Sequence, residues 1–398
     1  MRCKVTNKKI RPFMSFGKMP IANGFLKKKD FNKEFFFEME VGFSKAVSLF
    51  QLNEHPKPQL MFNKNYPFFT GSSKGMIKHF KDYAEWVKKK YFKDANNIIE
   101  IGSNDGTFLK NFNSKKINNI GFEPSSNVAN IARKNGVKTI NEFFNLKNVS
   151  KLKKLQKKTD LICAANAICH VPRLNDLIKG IDFLLSPRGY FIFEEPYLGS
   201  MFKKVSYDQI YDEHIFMFSV SSVKKIFNLF NFDLIDVKPQ KTHGGSMRYV
   251  VARKNKHSIK KSVQKYLNYE KKKNIDNIKG CMIFKKNCEI SKNRLIKKIN
   301  GFKKIGKNIV GYAATSKSTT ILNYCKIGND KIDYICDTTP EKIGKYTPGT
   351  HIPVVGMNHF RKKVPDTIFL FAWNHKNEIF KKEKKILNKT NWFAHIKI

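Results

Sequence analysis

From residue 97 the chain alternates apolar, strand-length runs with helix-length segments, and this alternation restricts the fold more than any other feature. The runs are NIIEI (97–101), NIGFE (119–123), DLICAAN (160–166) and GYFIFEE (189–195), with helix-like segments at 126–135, 172–185 and 220–230. Strands that are apolar without interruption need cover on both faces, which a parallel sheet flanked by helices provides. Two further runs, FDLIDVKP (232–239) and SMRYVVAR (246–253), have little between them and predict a closing antiparallel pair. A lysine-rich stretch at 255–305 reads as a linker helix with a solvated face. A second α/β pattern follows it: NIVGYAA (308–314), KIDYICD (331–337) and DTIFLFAW (366–373). No tandem repeat relates the two patterns, so two α/β units are expected rather than one continuous sheet.

Ahead of this, residues 1–70 read as short, Phe-rich and irregular, with turns at Pro20 and Asn23-Gly24. Met76, Ile77, Phe80, Tyr83, Ala84, Val87 and Tyr91 fall on one stripe and predict a lead-in helix. With 398 residues and 41% hydrophobic content, each unit has material for a core. No apolar run is long enough to span a bilayer, and the basic start MRCKVTNKKIRP lacks the apolar stretch of a signal peptide. Seven cysteines without a framework spacing suit buried, reduced thiols and a cytoplasmic protein. The formal net charge is +44, but the lysines are spread along the whole chain. No aromatic-basic RNA module accompanies them, so a nucleic-acid partner is not expected, whereas a phosphorylated substrate would be attracted.

The run IIEI leads into Gly102-Ser103-Asn104-Asp105-Gly106-Thr107, then Phe108 and Leu109. Small residues between a strand and a helix start let backbone N–H groups meet a ligand closely. Glu123-Pro124 follows at the end of the next run, where an acid can accept both hydroxyls of a ribose. Glu100 is placed to hold the loop or the amino-acid end of a cofactor. The spacing E-x-G-x-x-x-G with a downstream acid is the pattern of class I S-adenosylmethionine (SAM) methyltransferases; a tight turn plus a surface glutamate is the bland alternative.

An ordered set of segments then resembles the sugar C-methyltransferases that act on nucleotide-linked deoxysugars. The segments are PIANGF (20–25), YPFFTGSS (66–73) with His79, EIGSNDGTFL (100–109), GFEPS (121–125), ANAICHVP (165–172), EEPYL (194–198), YDEH (211–214), HGGSMR (243–248), GYAATSKSTTILNY (311–324) and PGTHIPV (348–354). The resemblance implies a small zinc-binding-like domain at 1–72. A SAM-dependent domain with a seven-stranded Rossmann-like sheet would span 73–254. A second Rossmann-like domain at 255–398 would hold the nucleotide-sugar. It also implies a substrate in the form of a nucleotide-linked keto-sugar. Two departures stand out. The family carries two C-x-x-C pairs near its start, whereas here Cys3 is followed by Thr6, and VGFSKAVSLFQL (41–52) has Gly42 and Lys45 where the second pair is expected. One soft ligand cannot hold tetrahedral zinc, so the domain is expected without metal. Phe68 stands where the family commonly has a tyrosine, which leaves Tyr66 as the nearer phenol.

Methylating carbon requires a carbanion-like centre, and a neighbouring ketone supplies it as an enolate. Tyr211, Glu213 and His214 suit this chemistry. Histidine titrates near neutrality and can take the α-proton, a carboxylate can orient the base, and a phenol can donate to the enolate oxygen. If helical, Tyr211 and His214 share a face at i, i+3. The resemblance makes this the catalytic cluster, with His214 as base. By itself the same pair also reads as a salt-bridged helix start. Asn166 ends the run DLICAAN and His170 follows it, where the resemblance places cofactor and sugar; otherwise they end a strand and cap a turn. His243, before Gly244-Gly245, lies near the substrate or simply in a bend. Lys317, in ATSKS (314–318), reads as part of a phosphate cradle or as an exposed lysine, and Asp337 touches a ribose or caps a turn.

Overall fold

The computed structural model describes residues 1–64, 66–93, 96–362 and 364–398. The first segment contributes strands β1 (Pro12–Pro20), β2 (Phe36–Ser44) and β3 (Leu49–Leu52). The central segment contributes β4 (Asn97–Ile101), β5 (Asn118–Phe122), β6 (Thr139–Ile140), β7 (Thr159–Ala165), β8 (Leu185–Pro196), β9 (Phe216–Met217), β10 (Phe232–Gln240) and β11 (Ser246–Arg253). The last segment contributes β12 (Ile309–Tyr312), β13 (Ile335–Asp337), β14 (Val354–Gly356), β15 (Thr367–Leu370) and β16 (Asn391–Phe393).

The central sheet has the order β10-β11-β8-β7-β4-β5-β6, and only β11 runs against its neighbours. Its middle strands are buried on both faces, as their unbroken apolar sequence requires. The lead-in helix Lys74–Tyr91 starts where the Ser73 hydroxyl accepts the Met76 N–H, and ends on three lysines that complement its dipole. Its buried face is the expected stripe except Ile77, which is exposed. The C-terminal sheet, β14-β13-β12-β15-β16, is parallel throughout.

Two expectations change. Residues 1–70 are not irregular: β1, β2 and β3 form an antiparallel sheet, joined on the far side of β3 by β9 from the central segment. Register shifts at Pro12/Met14 and Ser15/Lys18 break the period-two pattern of β1, which hid the strand. The stretch 255–305 is two helices, Lys261–Lys272 and Ile278–Lys304, rather than one linker. Asn277 caps the second helix, and Gly280 lies against the Asn274 carbonyl where a side chain would clash. Cys281, Phe284, Cys288, Leu295 and Ile299 of that helix enter a core that also holds Phe13, Met39 and Phe50 from the first sheet and Ile321 and Phe369 from the last unit. The N- and C-terminal segments therefore share one hydrophobic cluster. All seven cysteines are free and buried. Among the described residues no helix is long and apolar enough to cross a membrane.

In the segment expected to have lost its metal ligands, the neighbours of Cys3 stand in a different register from the one expected. The Cys3 thiol meets the Thr6 N–H at 3.4 Å. Burial raises the pKa of this thiol, yet hydrogen bonds from Ser44, Thr6 and Val5 bring it below its ordinary value. Ser44, not Gly42 or Lys45, is thus beside Cys3; Gly42 packs on the Met1 side chain instead. One thiol with two hydroxyl groups is not a zinc donor set.

Candidate active site

A cavity of about 1560 Å³ opens between the central sheet and the C-terminal unit, and the first segment adds Asn23 to its wall. At one end lies the turn after β4. Gly102 has φ +68° there, and a Cβ at that position would sit 2.6 Å from the Ala167 Cβ. Gly102 and Ser103 both donate their N–H to Phe122 O, at 2.9 and 3.0 Å, which ties the turn to β5. Ser103 Oγ and Glu100 Oε2 are buried without a protein partner. Burial, reinforced by Asp105 and Glu123, holds the Glu100 carboxyl well above the usual carboxylate range. Glu123 closes β5. Its carboxylate accepts the Asn104 N–H at 3.1 Å and the Ser125 N–H at 2.8 Å, and Pro124 lines the wall beside it. A cradle with no room for a side chain, unpartnered buried oxygens and a terminal acid fit an adenosyl cofactor with an amino-acid tail.

Two residues of the expected cofactor set stand outside the cavity wall. Asp105 accepts the Gly71 N–H at 2.7 Å and the Thr107 hydroxyl at 2.6 Å, so its carboxylate staples the segment before the lead-in helix. Gly106, at φ +78°, lies against Val137. Asn104 lines the cavity, but its side chain accepts from Thr70 N and donates to Phe68 O.

In the middle of the cavity stand Tyr211, Glu213, His214 and His170. The 211–214 segment is a turn, not a helix, closed by His214 N donating to Tyr211 O at 2.9 Å. The turn still sets the two rings 4.0 Å apart. His214 Nδ1 is 2.8 Å from Gln209 O, and a carbonyl only accepts, so Nδ1 carries the proton. Nε2 therefore holds the lone pair and accepts from the Tyr211 hydroxyl at 2.7 Å. Burial, with His170 nearby, lowers the His214 pKa well below 6.5, so the ring is neutral at pH 7. Burial and Glu213 raise the pKa of Tyr211, so the phenol keeps its hydrogen. His170 stacks on His214 at 5.3 Å and on Phe62 at 5.5 Å, and its Nε2 has no partner. Burial brings His170 down to about 4.

Asn166, at φ +52°, directs a buried and unpartnered Oδ1. Tyr66 lines the wall, and Phe68, half exposed, lines it too. Cys169 Sγ and the ring nitrogens of His170 and His214 come within 4.8 Å of one another. Burial pushes the Cys169 thiol up, and both His214 nitrogens are engaged, so the trio is poorly set up as a metal centre.

At the far end Lys317 is buried, contrary to an exposed helix lysine. Its Nζ donates to Asn374 Oδ1 at 3.0 Å and lies 4.8 Å from the Trp373 ring centre. Asp337 accepts the Ala314 N–H at 2.6 Å and lines the cavity. His243, at φ +50°, reaches the same wall.

Three wall or support residues escaped the sequence. Asn23 read only as a turn. Lys342, whose Nζ donates to Ala314 O at 2.7 Å, was one lysine among many. Glu195 accepts three backbone N–H groups, of Ala167, Ile168 and Cys169, and so holds the His170 turn; burial raises its carboxyl to about 7. The EEPYL segment was its one visible signal.

The strand order, the cradle after β4 and the buried acids at the ends of β4 and β5 define a SAM-dependent methyltransferase. Comparison with known proteins shows what the chain is similar to. Residues 76–237 match the model of a methyltransferase domain, 241–396 that of the C-methyltransferase C-terminal domain, and 3–62 that of a "putative zinc binding domain". The chain is 28% identical to C-methyltransferase NovU of Streptomyces niveus over 377 residues, which is 94% of this chain and 90% of that one. Among solved structures it is similar to a SAM-dependent methyltransferase from Archaeoglobus fulgidus, at 20% identity over 41% of this chain and 72% of that one, TM-score 0.34. It is also similar to magnesium protoporphyrin IX methyltransferase of Synechocystis PCC 6803, at 12% identity over 45% and 80%, TM-score 0.34. The chain is a SAM-dependent methyltransferase that is similar to C-methyltransferases along most of its length.

Proposed function

We propose that the chain methylates carbon next to a ketone on a nucleotide-linked deoxysugar, with His214 as general base. The observation that carries this is the neutral His214 ring with its Nε2 lone pair covered only by the Tyr211 hydroxyl. SAM supplies an electrophilic methyl group and leaves as S-adenosylhomocysteine. Glu100, Gly102, Ser103, Asn104, Glu123, Pro124 and Asn166 would hold it, with Asp105 and Gly106 shaping the turn from behind.

The chain's own work is proton management. A substrate carbonyl oxygen that accepts the Tyr211 hydroxyl's hydrogen bond in place of His214 uncovers Nε2. The free lone pair then removes the α-hydrogen, and the carbon–hydrogen electron pair moves into the enolate whose oxygen Tyr211 holds. The carbon of the enolate takes the methyl group and the ketone re-forms. His170, neutral and stacked on His214, keeps a second cation out of the site, while Tyr66 and His243 border the sugar. Lys317 and Lys342 face the cavity from the C-terminal unit, where a diphosphate would meet their charge.

Proton removal can be read without methyl transfer. In D₂O with S-adenosylhomocysteine present, the enzyme should exchange the α-hydrogen of a nucleoside-diphosphate 4-keto-6-deoxyhexose. His214→Ala should abolish the exchange. Exchange that survives in the variant would remove His214 as base.

A further inference from the structure

The first segment reaches the cavity through a side chain to which the proton chemistry gives no task. Asn23 Nδ2 donates to Glu213 Oε1 at 2.7 Å, and Ala22 N donates to Asp212 Oδ1 at 3.1 Å. From the other side the Thr319 hydroxyl donates to Ala22 O at 2.8 Å, so the 22–23 turn is itself held. Just past His214 the chain joins the N-terminal sheet. Phe216 lies opposite Gln51 and Met217 opposite Phe50, and Leu52 N donates to Ile215 O at 2.8 Å. The 212–217 stretch is thus gripped by residues 22–23 at one end and by β3 at the other. Glu213 is buried, and a buried carboxylate needs donors. An asparagine amide supplies one without adding a charge beside the base.

We propose that Asn23 is a positioning residue for methyl transfer: it fixes Glu213, and through the 211–217 segment the rings of Tyr211 and His214, which makes the metal-free N-terminal domain the rear support of the catalytic cluster. The proposal rests on reading that cluster as catalytic. Two variants test it. Asn23→Asp sets a carboxylate against Glu213, and Asn23→Asp with Glu213→Gln exchanges the amide and the acid. Hydrogen–deuterium exchange of the 211–218 peptide needs no substrate; kcat and KM for SAM are read with labelled cofactor and nucleoside-diphosphate 4-keto-6-deoxyhexoses. Asn23→Asp should speed exchange in this peptide and lower kcat by about tenfold or more, with KM for SAM little changed. The double variant should return exchange of this peptide to the wild-type rate. Wild-type exchange and kcat in Asn23→Asp, or a double variant whose 211–218 peptide exchanges as fast as in the single one, would overturn the proposal. Full turnover in His214→Ala would instead sink the catalytic reading, and the exchange data would still judge the grip on 211–218.

Discussion

His170 and His214 form a stacked pair of rings that burial keeps uncharged, and this has a consequence for stability as well as for catalysis. His170 titrates near 4 in the folded chain against 6.5 for a free histidine. Between these values the unfolded chain binds more protons, so stability falls as pH drops from 6.5 towards 4. The full difference is on the order of 3 kcal/mol. Glu195, raised to about 7, acts with the opposite sign over an overlapping range, so the histidine contribution is read as a difference between proteins. His170→Phe should gain stability relative to wild type when urea midpoints at pH 4.5 are compared with those at pH 7.5. An unchanged difference would mean that the ring is protonated in the folded state. These residues were only partly legible in the sequence. Tyr211, Glu213 and His214 were visible as neighbours, and the turn brings them together as a helix would have done. Asp105 and Gly106 shared the pattern of the cofactor turn, but that pattern does not say which side of the turn faces the ligand. Asn23 was invisible because its partner lies 190 residues away.

The elements show the same division. Strands β4, β5, β7 and β8 were legible because burial on both faces leaves an unbroken apolar record. The N-terminal sheet was not, since bulges in β1 shift the side chains from face to face. The helix Lys261–Lys272 looked like a solvated linker from its lysines, yet it ends in a fully buried Glu270. That carboxylate accepts the Tyr197 hydroxyl at 2.9 Å and the N–H groups of Val220 and Ser221 at 2.7 and 2.8 Å. It caps helix Val220–Asn228 from a distant part of the chain. Glu270→Ala would leave these donors buried and unpaired. It should cost roughly 2–5 kcal/mol in chemical denaturation, whereas Glu270→Gln, which keeps an acceptor oxygen, should cost clearly less. Equal losses in the two variants would contradict the capping role.

At the scale of the molecule, the three segments do not behave as beads on a string. One hydrophobic cluster joins the first and last, β9 ties the first to the central one, and all three meet at the cavity. The two stretches of alternating strand and helix could be read from the sequence; the shared core and shared site could not, because they arise from contacts between segments far apart in the chain. The N-terminal sheet is held by apolar residues such as Phe13, Met39 and Phe50, so a chelator should leave its thermal midpoint unchanged, and metal analysis should find zinc well below one equivalent. The central claim, that methyl transfer goes to carbon with His214 removing the proton, meets its most direct test in product analysis. Methyl-labelled SAM is incubated with nucleoside-diphosphate 4-keto deoxyhexoses, and carbon NMR locates the label in the product. The wild-type enzyme should yield a label bonded to ring carbon beside the ketone, and His214→Ala should yield none. A label on oxygen, or a carbon-methylated product from the variant at the wild-type rate, would contradict it.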